Sequence, residues 1–140
     1  EEGQGTVTLT TADGTRVALE VTGLRIAEGD SSPLKYRSCF DVGPATVDFD
    51  GRYASYPDAA PTVAPRAFPC FDAAALAEAL AGGEAQAFLG QANVTYGIDR
   101  VVALTDDGRG YAWHQINACG ERVFDGDPPP PGCPPPPAAD

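Results

Sequence analysis

Four cysteines, Cys39, Cys70, Cys119 and Cys133, constrain the fold of this chain more than any other sequence feature. An even number of cysteines is typical of disulfides formed in an oxidising compartment, and neither the paired spacing of a zinc site nor a C-x-x-C redox motif is present. Several pairings are open. We favour Cys39 with Cys70, which joins an extended segment to a helix start, and Cys119 with Cys133, which holds a tail that has few other contacts.

The chain begins Glu1-Glu2 and contains no methionine. We therefore expect that a signal peptide or membrane anchor precedes it and is removed, and that the chain is an exported domain. Uninterrupted apolar runs are far shorter than the roughly 20 residues that span a bilayer. Membrane contact is expected only through the removed anchor.

The charge balance excludes two classes of partner. Lys and Arg number 9 against 20 Asp and Glu, which gives this acidic protein a net charge of -11, and no basic cluster offsets it locally. Nucleic acids and anionic lipid surfaces are bound through basic patches. We expect neither nucleic-acid binding nor polybasic membrane binding.

Alternating apolar residues predict strands at both ends of the domain. One hairpin is predicted over residues 6–11 and 16–24, a further extended run over residues 34–40, and a second hairpin over residues 100–105 and 109–116. The nearly continuous apolar run at 100–105 indicates a central strand.

A single main helix is predicted after residue 72. Asp72 is a suitable N-cap, Leu76 and Leu80 are four residues apart, and Gly82 and Gly83 end the segment. A shorter helical turn is predicted within residues 84–89. Four prolines within residues 54–69 predict a surface loop.

These elements predict an α+β fold: an antiparallel sheet of about five strands, stapled by disulfides, with one main helix packed on one face. Residues 1–124 would form a single globular domain. Residues 125–140 hold eight of the 14 prolines and predict an extended proline-rich tail tied back by a disulfide.

His114 is the sole histidine of the chain, so a Ser-His or Cys-His mechanism would depend on it. Its partners would be Ser38 or Ser55 with Asp99 as the orienting acid, but no G-x-S-x-G elbow is present. We favour a packed histidine and assign no catalytic residue. An enzyme is not the preferred interpretation.

Arginine and aromatic residues near the second hairpin are the candidates for an interaction surface, because such residues anchor many interfaces. They are Arg100, Arg109, Tyr111, Trp113 and His114. The competing interpretation is that Trp113 fills the core. Asp48 and Asp50 are weak calcium candidates, since the twelve-residue loop with its closing Glu is missing. We expect no cofactor and no other metal site.

Three groups of residues carry a resemblance to a family. SSPLKYRSCF at 31–40, FPCFDAAAL at 68–76, and AFLGQ, YGIDRVVAL and DDGRGYAWHQIN within 87–117 are similar to a family of small uncharacterised proteins of Rhodobacter-type alphaproteobacteria. The resemblance covers roughly residues 25–117. It implies an N-terminal membrane anchor and a domain on the periplasmic side of the inner membrane. The Cys119 and Cys133 portion looks like an extension of the family pattern.

Two classes of function follow from these observations. The first is a non-catalytic accessory subunit or protein–protein interaction module associated with a membrane protein complex in the cell envelope. The second is a small-molecule or metal-binding domain, or a small hydrolase that uses His114. A large concave pocket at His114, Arg100 and Tyr111 would favour the second class, and a closed core with an exposed arginine and aromatic surface would favour the first.

Overall fold

A computed structural model describes residues 4–28, 32–42, 51–64 and 67–136 of the chain. Six antiparallel strands form one sheet: β1 (Gly5–Thr10), β2 (Arg16–Ala27), β3 (Arg37–Asp41), β4 (Ala85–Thr95), β5 (Ile98–Thr105) and β6 (Arg109–Ile116). Two helices accompany it, α1 (Ala73–Gly82) and α2 (Ala118–Phe124). The strand order is β1-β2-β3-β6-β5-β4, so the second predicted hairpin lies inside the sheet.

The sheet curls into a nearly closed barrel, and residues 52–56 bridge the gap between β1 and β4. Thr11 pairs with Tyr53, and Ser55 pairs with Phe88. Ala54 contacts both edges: its N–H donates to the carbonyl of Thr10, and its carbonyl accepts from the N–H of Leu89, each over 2.9 Å. This short segment therefore joins the two outer strands.

Curling produces two hydrophobic cores. The inner core fills the barrel and includes Leu9, Phe40, Val102 and Ala112. The outer core lies between the sheet, α1 and the loop before α1. It contains Cys39, Phe71, Leu76, Ala85, Val101, Ala103 and Trp113. Strand β5 contributes to both cores, which explains its nearly continuous apolar sequence.

The predicted fold of about five strands with one helix on one face is therefore wrong. In the part of the chain that the structure describes, six strands form a nearly closed barrel, and two short α-helices accompany it. Part of the error lies in the helical turn predicted within residues 84–89, because β4 begins at Ala85 and continues through these residues. Their Ala, Gln and Leu residues have helix propensity, but pairing with β5 places alternate side chains in the two cores, and this packing outweighs propensity.

Helix α1 forms where it is predicted. The Asp72 side chain accepts a hydrogen bond from the N–H of Ala75 over 3.1 Å. Gly83 ends the helix in the left-handed conformation, with φ 87°. Leu76 is buried in the outer core, and Ala73, Ala79 and Leu80 pack against the same core, so one face of α1 is anchored along its length.

The sequence analysis missed α2. Asn117 caps it by accepting from the N–H of Gly120 over 2.9 Å. Gly120 packs directly against Gly97, whose φ is 82°, and a Cβ on Gly120 would lie 2.4 Å from the carbonyl oxygen of Gly97. Only glycine allows this approach of α2 to the turn between β4 and β5.

Two disulfides are present, Cys39–Cys70 and Cys119–Cys133. These are the pairings favoured from the sequence. The first links β3 to the loop before α1, and the second links α2 to the proline-rich segment. That segment is also held by the Tyr96 hydroxyl, which donates to the carbonyl of Pro134 over 2.9 Å. None of the described helices is long and apolar enough to cross a membrane.

Candidate functional site

An open groove of about 490 Å³ lies on the outer face of the sheet where β2, β3 and β6 are neighbours. We call it the arginine groove. It is lined by Arg25, Asp41, Pro69, Arg109, Tyr111 and the Cys39–Cys70 disulfide, with Phe40 and Gly110 beneath. The groove contains two of the predicted interaction candidates.

Strand register places the side chains of the groove. Arg25 is opposite Cys39, and Cys39 is opposite Tyr111, so these three residues form one row across three strands. Asp41 is opposite Arg109 in the next row. Since directly paired residues share a face of a sheet, the register fixes two guanidinium groups, one phenol and one carboxylate around the disulfide.

The Cys39–Cys70 disulfide makes the floor of the groove rigid. Cys39 is buried, with 2% of its surface exposed, and its partner Cys70 follows Pro69 in the loop before α1. The loop is therefore covalently fixed against β3. A site on a disulfide-linked sheet presents its side chains with little loss of conformational entropy when a partner binds.

Tyr111, which is half-buried, and Arg109, which is exposed, form one side of the groove. The ring of Tyr111 meets Phe71 edge to face, with 6.2 Å between ring centroids. The nearby Tyr111 hydroxyl, followed by the negative charges of Asp107 and Asp41, raises the pKa of Arg109. Arg109 lies 3.9 Å from Asp107 in a solvent-exposed ion pair. Such pairs are weak, so a partner can replace Asp107 at little cost.

A second polar cluster lies inside the barrel at one end. Arg100 donates from Nε to Nε2 of His114 over 3.0 Å, and Nδ1 of His114 is 2.6 Å from the carbonyl oxygen of Pro33. His114 stacks on Tyr36 at 4.5 Å, and the Arg100 guanidinium lies 4.2 Å above the same ring. Both ring nitrogens of His114 are therefore engaged.

This environment keeps His114 neutral. Burial is the main cause that lowers the pKa of His114 to about 4. The hydrogen bond to the Pro33 carbonyl acts in the opposite direction, and the positive charges of Arg100 and Arg37 lower the pKa further. Nδ1 carries the proton, since Pro33 offers only an acceptor and Nε2 accepts from Arg100. A general base needs a free nitrogen and a pKa near the working pH. His114 has neither.

The predicted partners of His114 do not surround it. Asp99 precedes Arg100 on β5 and so faces the outside of the barrel, where it accepts hydrogen bonds from Tyr56 and Asn117, both over 2.8 Å. Ser38 is fully buried and accepts from the Tyr36 hydroxyl over 3.1 Å. Ser55 lies on the segment that bridges β1 and β4. The structure assembles no Ser-His-Asp arrangement from these residues.

The five interaction candidates separate into three places. Arg109 and Tyr111 line the arginine groove, while Arg100 and His114 lie inside the barrel. Trp113 is fully buried in the outer core, where it contacts Phe71 and donates from Nε1 to the Gln115 side chain over 2.9 Å. Trp113 therefore fills the core, as the competing interpretation had it.

Sequence reasoning missed Arg25, Asp41 and Pro69 as groove residues. Their place depends on the pairing of β2 with β3 and of β3 with β6, which joins segments far apart in the chain. The alternating pattern near Arg25 and Asp41 signals strands but not their neighbours. The sequence gives one indication that Pro69 lies near β3: its neighbour Cys70 is predicted to form a disulfide with Cys39.

The calcium candidates Asp48 and Asp50 lie outside the described residues. Within the ranges that the structure describes, no group of three or more His, Cys, Asp or Glu side chains is arranged to hold a metal ion.

The fold and groove define a class: a small disulfide-linked, barrel-like antiparallel domain with an arginine-lined outer groove. A family model matches residues 7–134, and the chain belongs to that family, which is described as Family of unknown function (DUF6446). The match includes Cys119 and Cys133, so the family extends beyond residues 25–117, and this portion is not an added extension. No curated protein and no solved structure matches the chain.

Proposed function

We propose that this protein is a non-catalytic accessory module that binds a membrane protein complex of the cell envelope through the arginine groove. The observation that carries the proposal is the row of Arg25, Cys39 and Tyr111 across three strands, with Arg109 beside it. Arginine and tyrosine are enriched among the residues that dominate protein interfaces.

The chemistry of the groove favours a partner that carries a carboxylate. Two guanidinium groups and one carboxylate, Asp41, line the groove, and the second nearby carboxylate, Asp107, is held only in the exposed ion pair with Arg109. The chain as a whole has a net charge of -11. A planar guanidinium binds a carboxylate through two parallel hydrogen bonds. The groove is thus a local site for an acidic loop on a protein that otherwise repels acidic partners.

The proposed location is the periplasmic side of the inner membrane. Two disulfides support an oxidising compartment. The proposed membrane anchor and the position at the inner membrane rest on the resemblance of the chain to anchored periplasmic proteins. The anchor would keep the domain close to its membrane partner and raise the effective concentration of each for the other.

The alternative of a hydrolase based on His114 has less support. Both nitrogens of His114 are occupied, and Asp99 faces the opposite side of the sheet. Inside the barrel, His114 and Arg100 stack on Tyr36 and close one end of the inner core.

A photo-crosslinking experiment tests the proposal. A photoreactive phenylalanine analogue replaces Tyr111 in the membrane-anchored protein in its host, and the same analogue replaces Val17, an exposed residue of β2 outside the groove. We expect a discrete adduct with a membrane protein from position 111, none from position 17, and loss of the adduct in an Arg109→Glu background. Equal adducts from both positions, or none from either, would contradict the proposal.

A further inference from the structure

A second groove, of about 580 Å³, lies between α1 and the first half of β4. Small or apolar side chains of α1 form one wall of this groove, and the backbone of β4 forms part of the other. The residues that matter are Tyr56, Asp58, Ala77, Leu80, Ala81 and the β4 residues Ala85 and Ala87. We call it the β4 groove, and it is separate from the arginine groove.

Backbone groups of β4 point into this groove. Asp106 donates from its N–H to the carbonyl of Glu84 over 3.1 Å, which places the backbone groups of even-numbered residues on the β5 side. On the other side, Leu89 donates to Ala54 and Tyr56 donates to the carbonyl of Ala87, each over 2.9 Å. Successive residues of a strand direct their backbone N–H and carbonyl groups to opposite sides. The N–H and carbonyl of Ala85 and the N–H of Ala87 therefore face the groove.

The strand segment that covers this edge stops early. Residues 54–56 pair with β4, but a turn follows at Pro57 and Asp58. Pro57 has no N–H to donate, and Asp58 has a left-handed φ of 62°, which directs the chain away. Tyr56 is the last residue of this segment to bond β4, through the carbonyl of Ala87, and among the described residues no strand pairs with Ala85 on this side.

We propose that the β4 groove binds an extended, positively charged segment of a partner protein, which adds to β4 as a further strand. The segment would continue the ladder that residues 54–56 begin. Main-chain hydrogen bonds would supply affinity, and pockets for alternate side chains would supply specificity, as in other cases of strand addition. This second interface goes beyond the accessory role proposed above.

Two properties of the groove argue for this occupant. Ala77 and Ala81 are exposed alanines on the helix side, so side chains of moderate size on one face of an added strand can lie between them. The lining contains Asp58 and no Lys or Arg, Glu84 flanks it, and the whole chain has a net charge of -11. An incoming strand with basic residues on its other face is complementary to this charge.

Peptide selection on the complete 140-residue chain, with both disulfides formed, tests the inference. Random seven-residue peptides displayed on phage are selected against the protein, and the enriched peptides are measured by fluorescence anisotropy. We expect enriched peptides that alternate basic with apolar residues and lack central proline. Methylation of alternate peptide N–H groups should abolish binding.

Two variants locate the binding site. Ala81→Trp fills the β4 groove from an exposed helix position and should abolish peptide binding, while Ala74→Trp, on an exposed position of α1 outside the groove, is the matched control. Ala87→Pro removes one outward N–H at an edge where proline is tolerated, and should weaken binding about tenfold.

Absence of enriched peptides, or enriched peptides that bind Ala81→Trp as tightly as the unchanged protein, would contradict strand addition at β4. Arg109→Glu should leave peptide binding unchanged, so failure of this inference is distinguishable from failure of the arginine groove.

Discussion

Arg100 and His114 are opposite one another on β5 and β6, and the Arg100 Nε donates to the His114 Nε2 over 3.0 Å. A protonated imidazole would have no lone pair for this bond, and would place a second positive charge beside the guanidinium. The pair therefore couples the protonation of His114 to the stability of the barrel.

The first prediction concerns pH. The pKa of His114 is lowered from 6.5 to about 4 in the folded protein, so the unfolded chain binds more protons between these two values. The contribution of His114 to stability is complete above pH 6.5 and falls as the pH falls toward 4, by at most about 3.5 kcal/mol at roughly 1.4 kcal/mol per pKa unit.

Urea unfolding of the unchanged protein and of His114→Gln across this range measures the effect. Carboxylates titrate in both proteins, so the difference between the two curves isolates His114. We expect the difference in the free energy of unfolding between the two proteins to shrink as the pH falls. A difference that stays constant with pH would contradict the assigned environment.

The second prediction concerns Arg37, which is buried with 3% of its surface exposed. Its guanidinium donates to the carbonyls of Leu34, Tyr36, Thr62 and Val63 and to the Thr62 hydroxyl. Lysine has fewer donors and no planar fork, so Arg37→Lys should destabilise the fold by about 2–3 kcal/mol. The exposed Arg16→Lys serves as control and should change stability by less than about 0.5 kcal/mol. Equal effects of both substitutions in chemical denaturation would refute this role.

The third prediction concerns Asp99, which is 7% exposed. It accepts from the Tyr56 hydroxyl, the N–H of Asn93 and the Asn117 side chain. Burial and this hydrogen bond raise the pKa of Tyr56. Asp99→Ala leaves these donors without an acceptor and should cost about 3 kcal/mol, whereas Asp99→Asn keeps one acceptor and should cost less. Thermal unfolding in which the two variants are equally destabilised would argue against the network.

The fourth prediction separates the two disulfides. Replacing both cysteines of either pair with alanine should cost about 3–4 kcal/mol in the chain-entropy model. The Cys39–Cys70 variant should also increase hydrogen exchange in the arginine groove, because that disulfide forms its floor. The Cys119–Cys133 variant should increase exchange only in α2 and the proline-rich segment. Increased exchange at the groove in both variants would contradict this division.

Several elements could be predicted because local chemistry determines them. The Asp72 cap and the Gly83 end define α1, and the turn at 106–108 defines the β5–β6 hairpin. The start of β4 was not predictable in the same way, because several of residues 85–89 favour helix and only pairing with β5 and with the segment at Ala54 fixes them as a strand. Barrel closure was missed for the same reason.

The candidate site was predictable only in part. Arg109 and Tyr111 were identified from residue type, but Arg25 and Asp41 join them through long-range register. Alternation along β6 already placed Trp113 and His114 on opposite faces. The outer face of the sheet is buried where α1 and its preceding loop cover it and is open elsewhere. The position of that helix and loop over the sheet could not be predicted from the sequence.

The most direct test of the proposed function is quantitative affinity purification of the protein, with its proposed membrane anchor attached, from its host in mild detergent. The unchanged protein is compared with Arg109→Glu, Tyr111→Ala and the exposed control Arg16→Glu. We predict a membrane protein complex that is retained stoichiometrically by the unchanged protein and the control, and lost from both groove variants. A protein that purifies alone, or a complex that all four proteins retain equally, would contradict the assignment of the arginine groove as its binding surface.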